Sequence, residues 1–79
     1  MQIRLVHYAL FRDARGRGAE TVTTRAATPR ALFDELGFGA AHASPESWVR
    51  VAVNDAFAAW DARLADGDTV VFIAPTAGG

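Results

Sequence analysis

The reactive inventory of this 79-residue sequence is short. Its two histidines, His7 and His42, have no carboxylate at metal-ligand spacing. His7 therefore reads as a half-buried strand residue and His42 as a loop residue, despite the general usefulness of imidazole in catalysis. Asp66 and Asp68 flank Gly67, and paired carboxylates can do acid–base work, but turn chemistry accounts for an Asp-Gly-Asp tripeptide. Gly16-Arg17-Gly18 lacks the longer spacing and the lysine of a phosphate-cradling loop. The absence of cysteine removes disulfides, thiolate metal sites and a thiol nucleophile. All eight basic residues are arginine, so no side-chain amine can form a Schiff base or accept an isopeptide bond. No metal site and no bound cofactor are expected.

What remains is the pair at the end, Gly78-Gly79. At average glycine usage two closing glycines arise by chance in about one chain in two hundred. The bland alternative is a frayed end. The physics suits a deliverable carboxylate: without side chains, the two residues can enter a narrow channel and take up positive φ. A carboxylate is a poor acyl donor because its leaving group would be an oxide. Adenylation by a separate ATP-using protein cures that, and a sulfur donor that displaces AMP leaves a thiocarboxylate. With no thiol elsewhere, the Gly79 carboxylate is the one place to hold transferable sulfur.

The elements in front of that end must position it. Residues 2–9 alternate, with Ile3, Leu5 and His7 on one face and Arg4, Val6 and Tyr8 on the other, which predicts a strand. Phe11 to Arg15 read as a short helical turn running into the Gly16–Gly18 loop, and the β-branched run 19–24 as a second strand. Thr28-Pro29 is a helix start, a hydroxyl N-cap before a proline whose φ is already helical. Leu32 and Leu36 share a face of that helix, and Gly37 stops it. Residues 37–47 read as a loop, with at most one turn at Ser44-Pro45-Glu46. Residues 48–53 form a strand with Val49, Val51 and Val53 on one face. Asn54-Asp55 turns into a short strand around Phe57, and 69–73 form the last strand, ended by Pro75.

This order predicts one α+β domain over residues 1–75, of β-grasp (ubiquitin-like) type. About five strands form a mixed sheet with one main helix on one face, and residues 76–79 follow as a flexible tail. Apolar residues at 51% and charged residues at 22% fit a globular domain. A formal net charge of −1, with only Arg12, Arg15 and Arg17 clustered, argues against nucleic acid. No apolar run reaches membrane-spanning length and no signal segment opens the sequence, so no membrane partner and a cytoplasmic location are expected.

Three segments carry a resemblance to a known family. Tyr8-Ala9-Leu10-Phe11-Arg12-Asp13 resembles the aromatic-Ala-x-x-Arg-Glu opening of the small subunit of molybdopterin synthase. Val51-Ala52-Val53-Asn54 resembles its third-strand Val-Asn motif. Residues 64–79 resemble its closing pattern, Leu-x-Asp-Gly-Asp-x-Val-x-Phe-x-Pro-Pro-x-x-Gly-Gly. Asp13 stands where glutamate is usual, and Ala74 replaces the first proline of the pair. The resemblance implies that an E1-like adenylating enzyme uses ATP to activate Gly79 for conversion to a thiocarboxylate. The tail, Pro75, Thr76, Ala77, Gly78 and Gly79, would then enter the large subunit and give sulfur to cyclic pyranopterin monophosphate. The usual assembly is a heterotetramer. It also implies Phe57, Ile73 and Arg12 as partner contacts.

Strand parity leaves two readings of the apolar pair. Val70 and Phe72 point one way and Val71 and Ile73 the other. One set packs under the helix, and the other joins Phe57, and with it Val6, on an open face that would be a docking surface. Ordinary burial is the alternative for Phe57 and Ile73. Three other functions stay open. They are a related sulfur carrier for thiamine, cysteine or tRNA 2-thiouridine synthesis, a ubiquitin-like protein modifier, and a non-catalytic interaction module.

Overall fold

The computed structural model of the protein describes residues 1–74, so the expected tail and Pro75 lie outside the described residues. Strand β1 (Gln2–Val6) leads into helix α1 (Ala9–Arg15), and β2 (Ala19–Thr23) returns alongside β1. Helix α2 (Pro29–Glu35) and the single turn α3 (Phe38–Ala41) follow, then a 3-10 turn over Pro45–Ser47. Strands β3 (Arg50–Val53), β4 (Ala56–Ala58) and β5 (Thr69–Ile73) complete a mixed sheet of order β2-β1-β5-β3-β4. β1 and β5 are parallel and the other pairs antiparallel, giving the β-grasp arrangement.

Alternation decides which side chains meet the helix. Ile3, Leu5, Val51, Val70 and Phe72 point inward and are buried against Leu32 and Phe33 of α2. The centre is aromatic: the Phe33 ring lies 5.1 Å from Phe72, 5.3 Å from Phe38 and 5.3 Å from Trp60. The helix therefore buries Leu32 and Phe33 most deeply, while Leu36 is half-buried at its C-terminal end.

Residues 37–47 are more ordered than a loop reading allows. Gly37 sits at φ +87°, a conformation open to glycine, and reverses the chain so that α3 can begin. Phe38 then drops into the core at 4% exposure, 4.8 Å from the Phe11 ring. His42 follows α3 as the loop residue expected, with its ring edge-on to Phe11 and Trp48. The short helical turn expected at 11–15 is a seven-residue helix that begins at Ala9, anchored by buried Phe11 and closed by Gly16 at φ +73°.

The start of α2 is as expected. The Thr28 hydroxyl accepts the Ala31 N–H at 3.2 Å, and Pro29 occupies the first turn. Thr28→Ala should therefore cost about 1 kcal/mol in urea unfolding. An unchanged midpoint would mean that packing alone sets the helix start.

His7 departs furthest from expectation. It lies just past β1, 2% exposed, and its Nε2 is 2.8 Å from Glu20 Oε2. Arg15 donates to the same carboxylate through Nε at 2.7 Å and Nη2 at 2.8 Å, and through Nη1 to the Leu36 carbonyl at 3.4 Å. The Glu20 carboxylate thus ties together the end of β1, the end of α1 and β2, and Arg15 extends the network to the end of α2.

Candidate functional site

The functional end of the molecule follows from strand direction. β5 runs parallel to β1 and antiparallel to β3. The chain therefore leaves the sheet after Ile73 at the end where β1 enters α1 and β3 begins. Tyr8, Arg50 and the Gly16–Gly18 loop all belong to that end. Ala74 is half-buried against the core, so the chain is anchored up to the point of departure. Gly79, Gly78, Ala77, Thr76 and Pro75 lie outside the described residues.

The sheet face opposite α2 carries an apolar band. Val6 pairs with Val71, Val71 with Ala52, and Ala52 with Phe57, so four neighbouring strands each place one apolar side chain in a row. Ile73 stands one step nearer the exit, opposite Arg50. Phe57 is 70% exposed and Ile73 38%, which settles the parity question: Val70 and Phe72 are core, and Phe57 and Ile73 are surface. Exposure of large apolar groups in a contiguous band marks an interaction site. Tyr8, 61% exposed, continues the same parity just beyond β1.

Arginine supplies the charge on this face. The Arg50 guanidinium carbon lies 5.5 Å from the centre of the Phe57 ring, a cation–π distance. Arg4 shares the face, paired to Thr21 and Thr69. Among the described strand residues of this face there is no carboxylate. The structure thus brings Phe57 and Ile73 together through Arg50. Arg12 is exposed on α1, a separate element that starts from the same end of the sheet, and does not join that row.

Sequence reading missed Arg50. The signal was present in the alternation Val49-Arg50-Val51, which turns Arg50 outward once the valines turn in. The Asp66–Asp68 pair proves to be turn architecture. Asp66 Oδ1 accepts the Gln2 N–H at 2.6 Å, and Gly67 sits at φ +88°. Asp68 accepts the Ala65 N–H and the Asn54 amide, and these bonds hold its carboxyl below the usual range. Among the described residues no three His, Cys, Asp or Glu side chains converge to hold a metal. Nor is any described helix long and apolar enough to cross a membrane.

A β-grasp sheet with an exposed apolar band beside the departing chain defines a small ubiquitin-like protein. Residues 8–79 match the family model described as ThiS family. The chain belongs to the ThiS family, the small ubiquitin-fold sulfur carriers. A search of curated proteins finds no match. Among solved structures, SAMP1 from Haloferax volcanii superposes with a TM-score of 0.73 at 22% identity over 100% of both chains. Molybdopterin converting factor subunit 1 from Pyrococcus furiosus gives 0.71 at 25% identity, covering 96% of this chain and 99% of that one. The complex of subunits 1 and 2 of the molybdopterin-converting factor from Helicobacter pylori gives 0.63 at 18%, over 100% of both chains. Likeness at these identities speaks to fold.

Proposed function

We propose that this protein carries sulfur on Gly79 as the small subunit of molybdopterin synthase. An E1-like enzyme first joins the Gly79 carboxylate to the α-phosphorus of ATP, and pyrophosphate leaves. A sulfide-level nucleophile then attacks the acyl carbon, AMP departs with the bridging oxygen, and a thiocarboxylate remains. That sulfur is passed within the large subunit to cyclic pyranopterin monophosphate, in a heterotetramer. The chain itself is no enzyme. It supplies an anchored, deliverable end and a docking face.

The observation that carries this reading is the apolar band of Val71, Ala52, Phe57 and Ile73, with Phe57 and Ile73 exposed, which runs from β4 across β3 onto β5, the strand that leads into Gly78-Gly79. A partner seated on that band lies beside the departing chain. The Arg12-Asp13 segment and the closing motif favour the pterin acceptor.

A second reading keeps the activated Gly79 carboxylate and changes its use. It either passes sulfur to a thiamine, cysteine or tRNA thiolation pathway or, as a protein modifier, joins the Gly79 acyl group to a protein amine as an amide, with the activating group as leaving group. Ala74, in place of the first proline of the pair, and the likeness to an archaeal SAMP1 favour it.

The test is intact mass spectrometry after incubation with the cognate adenylating enzyme, ATP and a sulfur source. The expected product has one oxygen replaced by sulfur, located on Gly79. Absence of that product with an enzyme active on its own carrier would sink the carrier reading. The loaded protein, the large subunit and the pterin then separate the two acceptors.

A further inference from the structure

Beside the apolar band the sheet edge opens into a groove of about 540 Å³ between the 3-10 turn and the β3–β4 edge. Trp48, Trp60 and Phe57 give it apolar walls, and Glu46 and Arg50 are its charged residues. Trp60 is fixed by an Nε1–H bond to the Val49 carbonyl at 3.2 Å, so that wall is held in place. Glu46 is already engaged: its Oε2 accepts from Arg30 Nε at 2.9 Å. Arg50 has no carboxylate within ion-pair distance among the described residues. Its guanidinium lies over Phe57, an arrangement that leaves the in-plane N–H donors open to a further acceptor.

Position gives the groove a meaning. Arg50 pairs in register with Ile73, so the groove flanks the point where the chain leaves the sheet. Any protein that takes up the tail must cover this end. The one partner common to both readings of the proposed function is the adenylating enzyme, because each of them requires an activated carboxylate.

We propose that the groove receives a segment of the adenylating enzyme, with an apolar side chain set between Trp48 and Trp60 and a carboxylate paired to Arg50. Arg50 is then a specificity-determining contact. This inference rests on the carrier reading and adds a second contact region, around the sheet edge from the apolar band.

Charge complementarity of this kind acts on encounter and partner choice, and it is weakened by salt. The experiment is ATP–pyrophosphate exchange by the cognate adenylating enzyme with the full-length carrier varied. Arg50→Glu should raise KM about tenfold with kcat nearly unchanged, and should flatten the rise of KM with ionic strength. Arg63→Glu makes the same charge change at an exposed loop residue that does not line the groove, and should match wild type. Ser47→Tyr, which adds bulk at the groove without altering charge, should also raise KM. Circular dichroism checks that each variant folds.

Equal KM values for Arg50→Glu and Arg63→Glu, with wild type active, would overturn the groove assignment and leave the carrier reading standing. A wild-type dimer that Arg50→Glu dissociates without changing KM would give the groove to a second copy and likewise overturn it. No exchange with wild type would remove the carrier reading and this inference together.

Discussion

Deleting Gly79 should lower sulfur loading by at least about 100-fold while leaving the unfolding midpoint unchanged. The argument is one of reach. Each extended residue contributes roughly 3.5 Å, so the deletion draws the terminal carboxylate back by about that distance. A reacting group misplaced by only ~1 Å can already cost about two orders of magnitude in rate. Gly78→Ala and Gly79→Ala keep the length but add a methyl group to a segment argued to thread a narrow channel, and they should fail at the same step. Folding should be indifferent to all three, because the β5 register closes at Ile73 and the core contacts of the described residues end at Ala74. Intact mass after loading and urea unfolding on the same samples report both halves. Undiminished loading of the deletion would place the transferable sulfur elsewhere. A lowered midpoint would make the tail part of the fold.

Much of what positions that carboxylate was legible because it rests on local or period-two signals. The last strand falls at 69–73 as the Thr-Val-Val-Phe-Ile run predicts, and Thr28-Pro29 caps α2 through the bond that such a pair suggests. Parity alone separated Val70 and Phe72 from Val71 and Ile73, and the helix decided which pair was core. What escaped depends on contacts between distant residues. Phe38 belongs to the core only because Gly37 turns the chain back, and a Gly-x-Gly stretch carries no apolar period to announce it. Arg50 acquires its role from Phe57 on the neighbouring strand. The groove beside it exists only once the 3-10 turn is placed against the β3–β4 edge. The clearest case is His7, whose partner Glu20 is thirteen residues away and meets it only through the β1–β2 register.

That buried pair carries the largest expected effect on stability. Glu20 has a side chain only 7% exposed and accepts from Arg15 twice and from His7 once. His7 Nδ1 has no partner among the described residues, so Glu20 is the only hydrogen-bonding company that this ring has. Glu20→Ala would leave the imidazole wholly unpaired and Arg15 without its counter-charge. The cost should be about 3 kcal/mol, the low end for breaking a buried ion pair, because Arg15 at 29% exposure can still turn toward water. For a domain of this size that is a large share of a total of roughly 5–15 kcal/mol.

The pH dependence tests the same network independently. The Arg15 hydrogen bonds, helped by His7 and opposed by burial, hold the Glu20 carboxyl down to about 2, against an ordinary value of 4.5. The unfolded chain therefore takes up a proton near pH 4.5, while the folded chain resists until about pH 2. The stability this carboxylate contributes is fully present above pH 4.5 and is lost as the pH falls toward 2. At about 1.4 kcal/mol per pH unit, that window amounts to about 3 kcal/mol. Glu20→Gln removes the titrating group but keeps its shape. Its stability should therefore fall less steeply than wild type between pH 4.5 and 2, with the two curves converging at the acid end. Urea unfolding at several pH values across that window measures the difference directly, and the comparison cancels the other carboxylates, Asp68 among them. Parallel acid limbs would show that the Glu20 carboxylate gains nothing from Arg15 and His7 beyond what water already gives it.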